Sequence, residues 1–282
     1  MNRVVKVLVV YFLGFYQLGY SQEETKGKIK KISFGIDIGL NIPNNKPAQF
    51  LDGSHPFGVS RILSNPQIRQ QLETELGYPI KNWEYSRNNT YSPTVYAGLF
   101  LGFDLNADWA MVMKVNFSVL RFSTPLVIAL DNPQNFTGEF EQATVTAQEQ
   151  RFGYELGIQR KYNIQPKLDF SIMAGASFNY IQLERQEFIV RSRQFVITRI
   201  QNPQILNYQQ VDGFGYGFLA EIGVSYELNE KFTLGLYIQG SAIKNKEYIE
   251  ELTEGTTYLK QSAEEASKFL PSFSTCFRLI WN

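Results

Sequence analysis

Residues 32–41, ISFGIDIGLN, alternate without a fault: Ile32, Phe34, Ile36, Ile38 and Leu40 against Ser33, Gly35, Asp37, Gly39 and Asn41. A period of two places the first set on one face of a β-strand and the second on the other. The same alternation recurs in 94–105, 109–120, 152–162, 168–180, 214–228, 232–241 and 272–281, which predicts eight strands. The links at 106–108, 163–167 and 229–231 are short, and those at 42–93, 121–151, 181–213 and 242–271 are long. Short turns on one side and long loops on the other predict an all-β fold, an eight-stranded antiparallel transmembrane up-and-down barrel with long extracellular loops. An even strand count puts both termini on the short-turn side, expected to be periplasmic.

The apolar faces carry aromatic residues near the strand ends: Trp109, Phe117, Phe170, Phe178, Phe214, Tyr226, Phe232, Phe273 and Trp281. These suit two girdles at the lipid headgroups. The opposite faces are rich in glycine and serine, as the interior of a narrow barrel requires. They also hold charges: Asp37, Asp104, Lys114, Glu155, Asp169, Glu221, Glu227 and Arg278. An unpaired buried charge is costly, so these should pair. Counting residues from the periplasmic strand ends places Asp37 against Arg278 where the first strand meets the last. The same count puts Lys114 beside Glu155 with Glu221 nearby. The expected role of this set is a structural interior network; the alternative is a proton or ion path.

The first long loop contains SNPQIRQQLETELGYP. Asn65 suits a cap, Pro66 the first helical position and Gly77 the C-terminal stop. Ile68, Leu72 and Leu76 form a narrow apolar stripe, so a short helix is predicted, either covering the barrel mouth or docking a partner. The third long loop alternates well enough to prolong its strands as a hairpin, with Arg185, Arg191, Arg193 and Arg199 making it basic. The fourth holds Glu247, Glu250, Glu251, Glu254, Glu264 and Glu265, and a short helix opened by Ser262 with Glu265 as a capping box. The simplest expectation pairs these two loops with each other; the other directs the arginines to lipopolysaccharide phosphates.

Composition adds exclusions. Basic and acidic residues number 27 each, so no nucleic-acid partner is expected. Aromatics reach 15 % while mean hydropathy is −0.23, which fits alternating strands and excludes a bundle of membrane helices. Cys276 is the single cysteine, so no intrachain disulfide and no cysteine-built metal site can form. Arg3 and Lys6, the apolar run Val7–Tyr16, and the small residues Gly19 and Ser21 read as a signal peptide over 1–21, with Gln22 opening the mature chain. No cysteine near that point suggests a lipid anchor. The one histidine, His55, lies in LDGSHPFG beside Asp52 and Ser54. Working triads bring partners from separate elements, so these packed letters point away from catalysis. No phosphate, zinc or calcium motif occurs, and no cofactor is expected.

The segments YELNEKFTLGLYIQGS and RKYNIQPKLDFSIMAGASFNY share an aromatic strand, a short Asn-containing turn with a lysine, and a strand with small residues inside. This resembles the small outer-membrane β-barrel proteins of Bacteroidota, the group that includes PorT-type proteins of type IX secretion, and more broadly OmpA-like small barrels. The YSQ cleavage region is similar to exported proteins of that phylum. The chain departs from the usual pattern by ending Trp281-Asn282, one residue past the aromatic. The resemblance implies a non-enzymatic integral barrel in a Gram-negative outer membrane. Its implied role is an accessory or structural subunit of a larger complex in secretion or outer-membrane biogenesis, with lipid, lipopolysaccharide and other outer-membrane proteins as partners. The alternatives are a stand-alone adhesin or envelope-stabilising barrel, and a lipid A-modifying enzyme using His55. No peptidoglycan-binding domain follows the last strand, which disfavours wall tethering.

Overall fold

The computed structural model describes residues 32–54, 58–85, 89–134, 139–197, 211–252 and 260–281. Eight strands close into a ring: β1 (Ile32–Ile42), β3 (Thr94–Asp104), β4 (Trp109–Leu130), β5 (Glu139–Gln165), β6 (Leu168–Val190), β8 (Val211–Asn229), β9 (Phe232–Lys244) and β10 (Leu270–Trp281). All neighbours run antiparallel, and β1 closes on β10. Two shorter strands lie on the long-loop side. β2 (Ile80–Tyr85) pairs with the upper part of β4, and β7 (Arg193–Val196) with the upper part of β6. The chain is thus an eight-stranded transmembrane barrel. Among the described residues no helix is long and apolar enough to cross a membrane.

The short turns follow from their asparagines. Asn106 Oδ1 accepts from the Asp108 and Trp109 amides, both at 2.9 Å, and Asn229 Oδ1 from Lys231 at 2.9 Å and Phe232 at 3.0 Å. Such side chains stand in for a backbone carbonyl and hold the turn. At the β5–β6 turn Lys167 sits at φ 74°, a left-handed position more usual for glycine.

The long link at 121–151 is corrected by the structure, while the prolongation expected of the third link is seen in β6, which runs on to Val190 and pairs there with β7. β4 and β5 run 22 and 27 residues, and β6 runs 23, where a membrane needs roughly 9–11. The pairing of β4 with β5 continues unbroken from Trp109↔Arg160 to Leu130↔Glu139. What changes along it is the environment. From Trp109 to Val119 the outward residues are apolar and the inward ones include Lys114, Asn116 and Ser118. From Leu120 upward the inward residues turn apolar, as Leu120, Phe122, Leu126, Ile128 and Leu130, and all five are buried. The outward ones become Arg121, Ser123 and Pro125. The parity of apolar positions inverts with no bulge in β4, so the same strand leaves lipid and enters water. Pro125 lies where β4 changes partners, between Tyr85↔Leu126 and Tyr91↔Phe122, so its missing N–H costs no ladder bond there.

The wall so raised stands on one side of the ring. Its inner face packs with two helices of the first loop, Val59–Ser64 and Pro66–Leu76, in a core that includes Leu63, Leu72, Leu76, Ile128, Val145 and Phe188. Asn65 caps the second helix, accepting from Gln67 at 3.0 Å and Ile68 at 3.3 Å, and Gly77 ends it at φ 87°. Leu72 and Leu76 are buried and Ile68 packs alongside. A second core joins this region to the fourth loop, whose helices are Lys246–Leu252 and Lys260–Ala266. The latter starts at Lys260, so Ser262 lies inside it and not at its cap. Its register follows Ala263 and Ala266, the residues it turns to the core.

The pairing of the third-loop arginines is also corrected. Arg191 bonds Glu141 at 3.0 Å, Arg193 bonds Glu75 at 2.6 Å, and Arg185 pairs with Glu187. The fourth-loop glutamates have nearer partners: Glu265 meets Lys46, Glu250 meets Lys246, and Glu247 accepts from the Phe214 amide. The arginine hairpin tops the tall wall, so it meets the end of the Pro66–Leu76 helix. Arg199 and Glu254 lie outside the described residues.

Two outcomes follow. Leu72→Ala is expected to cost about 2–5 kcal/mol. Limited proteolysis should show cleavage in the projecting half, while unheated gel mobility reports an intact barrel. Glu73 accepts from Arg69 at 2.8 Å, which holds its carboxyl below 4.5 against the opposing effect of burial, with help from the Ile80 amide. A lowered carboxyl stabilises the fold above its unfolded value and loses that contribution as pH falls through the folded one. The parent is expected to lose thermal stability as pH falls through the acid range, and Glu73→Gln should flatten that fall, read by melting temperature against pH.

Candidate functional site: the charged barrel interior

The β1–β10 seam sets Asp37 opposite Arg278. Arg278 is 0 % exposed. Its Nε donates to Asp37 Oδ1 at 2.7 Å and its Nη2 to Asp37 Oδ2 at 2.9 Å, a two-pronged pair. The remaining donors reach Glu221 from across the interior, Nη1 to Oε1 at 3.1 Å and Nη2 to Oε2 at 3.2 Å. Glu221 Oε2 also accepts from Lys114 Nζ at 2.6 Å, and Lys114 meets Glu155 Oε2 at 2.9 Å. Gln239 closes the chain, accepting from Lys114 and donating to Glu155 Oε1, at 2.6 and 2.7 Å. Asp37, Lys114, Glu155, Glu221 and Arg278 thus form one buried network. Asp104 stands apart and binds Lys161 at 2.7 Å.

Aromatic rings hold the guanidinium from both sides. Arg278 Cζ lies 4.0 Å from the Tyr237 ring centre and 4.4 Å from that of Phe100. A weakly hydrated planar cation suits such stacking better than an ammonium. The Tyr237 ring lies against Gly223 and Gly235, where any side chain would collide with it. The glycines that read as generic small interior residues are here the space for this ring.

The outward face carries the aromatic girdles. Trp109, Phe170, Phe232 and Trp281 stand at the short-turn end, with Phe232 5.9 Å from Trp281 and Phe170 6.1 Å from Tyr162. Arg160 lies 5.3 Å above the Trp109 ring. Phe117 meets Phe152 at 4.8 Å at the other end, and Tyr180 meets Phe214 at 5.1 Å. Phe273 is exposed on the same lipid-facing side.

A second polar centre was not foreseen. Glu149, 0 % exposed, sits on β5 three residues beyond Phe152, facing inward. Its Oε1 accepts from Tyr91 Oη at 2.7 Å and also from Tyr248 Oη, and its Oε2 from Arg151 Nη2 at 2.9 Å. Tyr91 belongs to the first loop and Tyr248 to the Lys246–Leu252 helix, both beyond the membrane-spanning strands. Burial, followed by the neighbouring Glu149 carboxylate, pushes both phenols well above 10, so they stay protonated donors. The sequence signal available was parity: Glu149 continues the inward series of Glu155, Gly153 and Arg151. Recognising it required knowing that the strand continues there.

Between the two centres lies a cavity of about 70 Å³, lined by Asp37, Lys114, Glu155 and Arg151 with Ser177, Ser241 and other polar residues. Polar space of that size has room for water with several polar partners. Asp52 binds the Ser54 amide and Asn89, at 2.8 and 3.1 Å, while His55 lies outside the described residues. Among the described residues no group of three His, Cys, Asp or Glu side chains is placed to hold a metal ion.

No protein-family model matches the chain, and no curated protein matches it. Solved structures with a related course include neisserial surface protein A, at TM-score 0.42 and 9 % identity, covering 89 % of this chain and 95 % of that one. The outer membrane protein OprG from Pseudomonas aeruginosa matches at 0.34 and 9 %, covering 89 % and 94 %. Ail, the attachment invasion locus protein of Yersinia pestis, matches at 0.33 and 8 %, covering 89 % and 97 %.

Arg278→Met leaves Asp37 buried without its cation and Glu221 with Lys114 alone. The expected loss is about 3–5 kcal/mol. Adding Asp37→Asn and Glu221→Gln should recover part of it, read as the urea midpoint in micelles by tryptophan fluorescence. An unchanged midpoint in the single variant would show that the network does not hold the seam.

Proposed function

We propose that the chain is a non-enzymatic integral barrel of a Gram-negative outer membrane, an accessory or structural subunit of a larger complex. The observation that carries this reading is the contrast between a filled interior and a projecting wall. Charged and polar side chains occupy the barrel lumen, and a packed loop structure covers it. Ordinary porin traffic finds no open bore in such a barrel. The tall β4–β5–β6 wall and its helices make a preorganised surface beyond the lipid, suited to presenting contacts. By the rule that short turns face the periplasm, the termini are periplasmic and the wall is extracellular. Export follows from removal of residues 1–21. Outer-membrane lipid and lipopolysaccharide surround the girdled face, and other outer-membrane proteins bind the wall or that face. Secretion or outer-membrane biogenesis as the setting rests on the resemblance of the two hairpin segments to PorT-type barrels.

Crosslinking in cells, mild detergent extraction and mass spectrometry test this. A defined set of outer-membrane proteins should co-purify, and their yield should fall when the wall is altered at its exposed tip, for example Phe140→Ser. A protein that purifies alone after crosslinking would favour the second reading, a stand-alone adhesin or envelope-stabilising barrel, for which the independent core of the projecting half is the supporting observation. His55→Ala with unchanged lipid A would remove the enzymatic alternative.

A further inference from the structure

The Lys246–Leu252 helix lies directly on the inner wall of β8. Any side chain at Gly213 would collide with the backbone of Tyr248. Tyr248 and Ile249 are fully buried, in one core with Ala48, Phe50 and Leu51 of the first loop and Leu120, Phe122 and Ile181 of the wall. Two separate loops therefore fill the mouth together. Apolar contacts of this kind hold them without direction. Gln186 of the wall donates to the Leu51 carbonyl at 2.9 Å, and one polar tie takes in both loops: Tyr91 from one and Tyr248 from the other both donate to Glu149 Oε1.

Arg151 links this tie to the space below. It bonds Glu149 on one side and lines the polar cavity on the other, with Ser118, Asn179 and Ser177. Ser118 sits two residues below Leu120, where the apolar plug begins. The cavity ends at the network of Lys114, Glu155 and Asp37. Toward the long-loop side it reaches Arg151 of the tie and Asn41, Ile243 and Ser272 near the upper strand ends, and on the other side it meets the ion network of the barrel.

We propose that the Lys46–Phe50 turn with Leu51 and Tyr91, and the Lys246–Leu252 helix, form a releasable plug, latched to the barrel wall through Glu149, and that release connects the internal polar cavity with the long-loop side. The latch has two hands and one anchor. Losing either phenol hydroxyl weakens one loop's hold; losing the carboxylate weakens both. The strands that carry the barrel are untouched by either change, so plug and barrel separate as units of different stability. This inference goes beyond the complex-subunit reading and does not depend on it.

Thiol labelling in purified protein tests it. Cys276→Ser removes the native thiol, and Ser177→Cys places one in the cavity wall, where Ser177 is 1 % exposed. A small charged methanethiosulfonate reagent is the probe, and unheated gel mobility confirms a folded barrel. Labelling should be slow in this parent. It should rise at least about tenfold on adding Tyr248→Phe, Tyr91→Phe or Glu149→Gln, the shift that loss of a buried bond to a charged group produces. Fast labelling of the parent would overturn the proposal, because the cavity would then be open without release. Unchanged slow labelling in all three folded variants would overturn it too, because the plug would then be held without the Glu149 latch. The tyrosine variants remove one oxygen each, so they keep the test alive if Glu149→Gln does not fold.

Discussion

A barrel closes only if its first and last strands meet, and here a guanidinium lies at that meeting. Arg278 pairs with Asp37 across the seam and with Glu221 across the interior, between the rings of Tyr237 and Phe100. A buried cation of this kind is a liability unless every donor is met. Meeting them draws in β1, β8, β9 and β10 at once, and Lys114 and Glu155 carry the network on to β4 and β5. The register of the closed ring and the satisfaction of these charges are therefore the same condition. Any slip of one residue would turn Arg278 toward lipid.

The second organising constraint is a change of solvent along single strands. In the membrane the barrel is apolar outside and polar within. Beyond Ser118 the same β4 is polar outside and apolar within, with the pairing to β5 unbroken. Both halves obey one rule: apolar side chains leave water, whether lipid or a packed core receives them. At the level of the switch neither solution is complete, and Glu149 with its two tyrosines and Arg151 occupies it. A carboxylate suits this place because donors from the wall and from both loops can converge on its two oxygens.

Much of this was legible in the chain. The eight membrane strands, their tight turns, the outward aromatic residues and the Asn65–Gly77 helix all follow from local pattern. So does the pairing of Asp37 with Arg278, since depth along each strand can be counted when turns are short. The prolongation of β6 follows from the alternation in the third link, whereas a fixed assignment of faces hides the extensions of β4 and β5. Arg121, Ser123, Pro125 and Val127 on one face looked like a loop beginning, although Phe122, Leu126 and Ile128 kept the period. Charge alone pairs the arginine hairpin with the glutamate-rich loop, but charge carries no distance.

The sequence by itself determined what is periodic and local: strand positions, facing within the membrane, turn chemistry and the one helix with clear caps. It also determined that the interior charges must find partners, because burial makes them costly. Only the tertiary structure decided which loop meets which wall. It placed Glu75 at Arg193, Tyr91 and Tyr248 at Glu149, and Gly213 under a helix. Those contacts join residues tens to more than a hundred positions apart through long links, and link length sets no direction. They are selected by the packing of whole surfaces, which no short stretch of sequence contains.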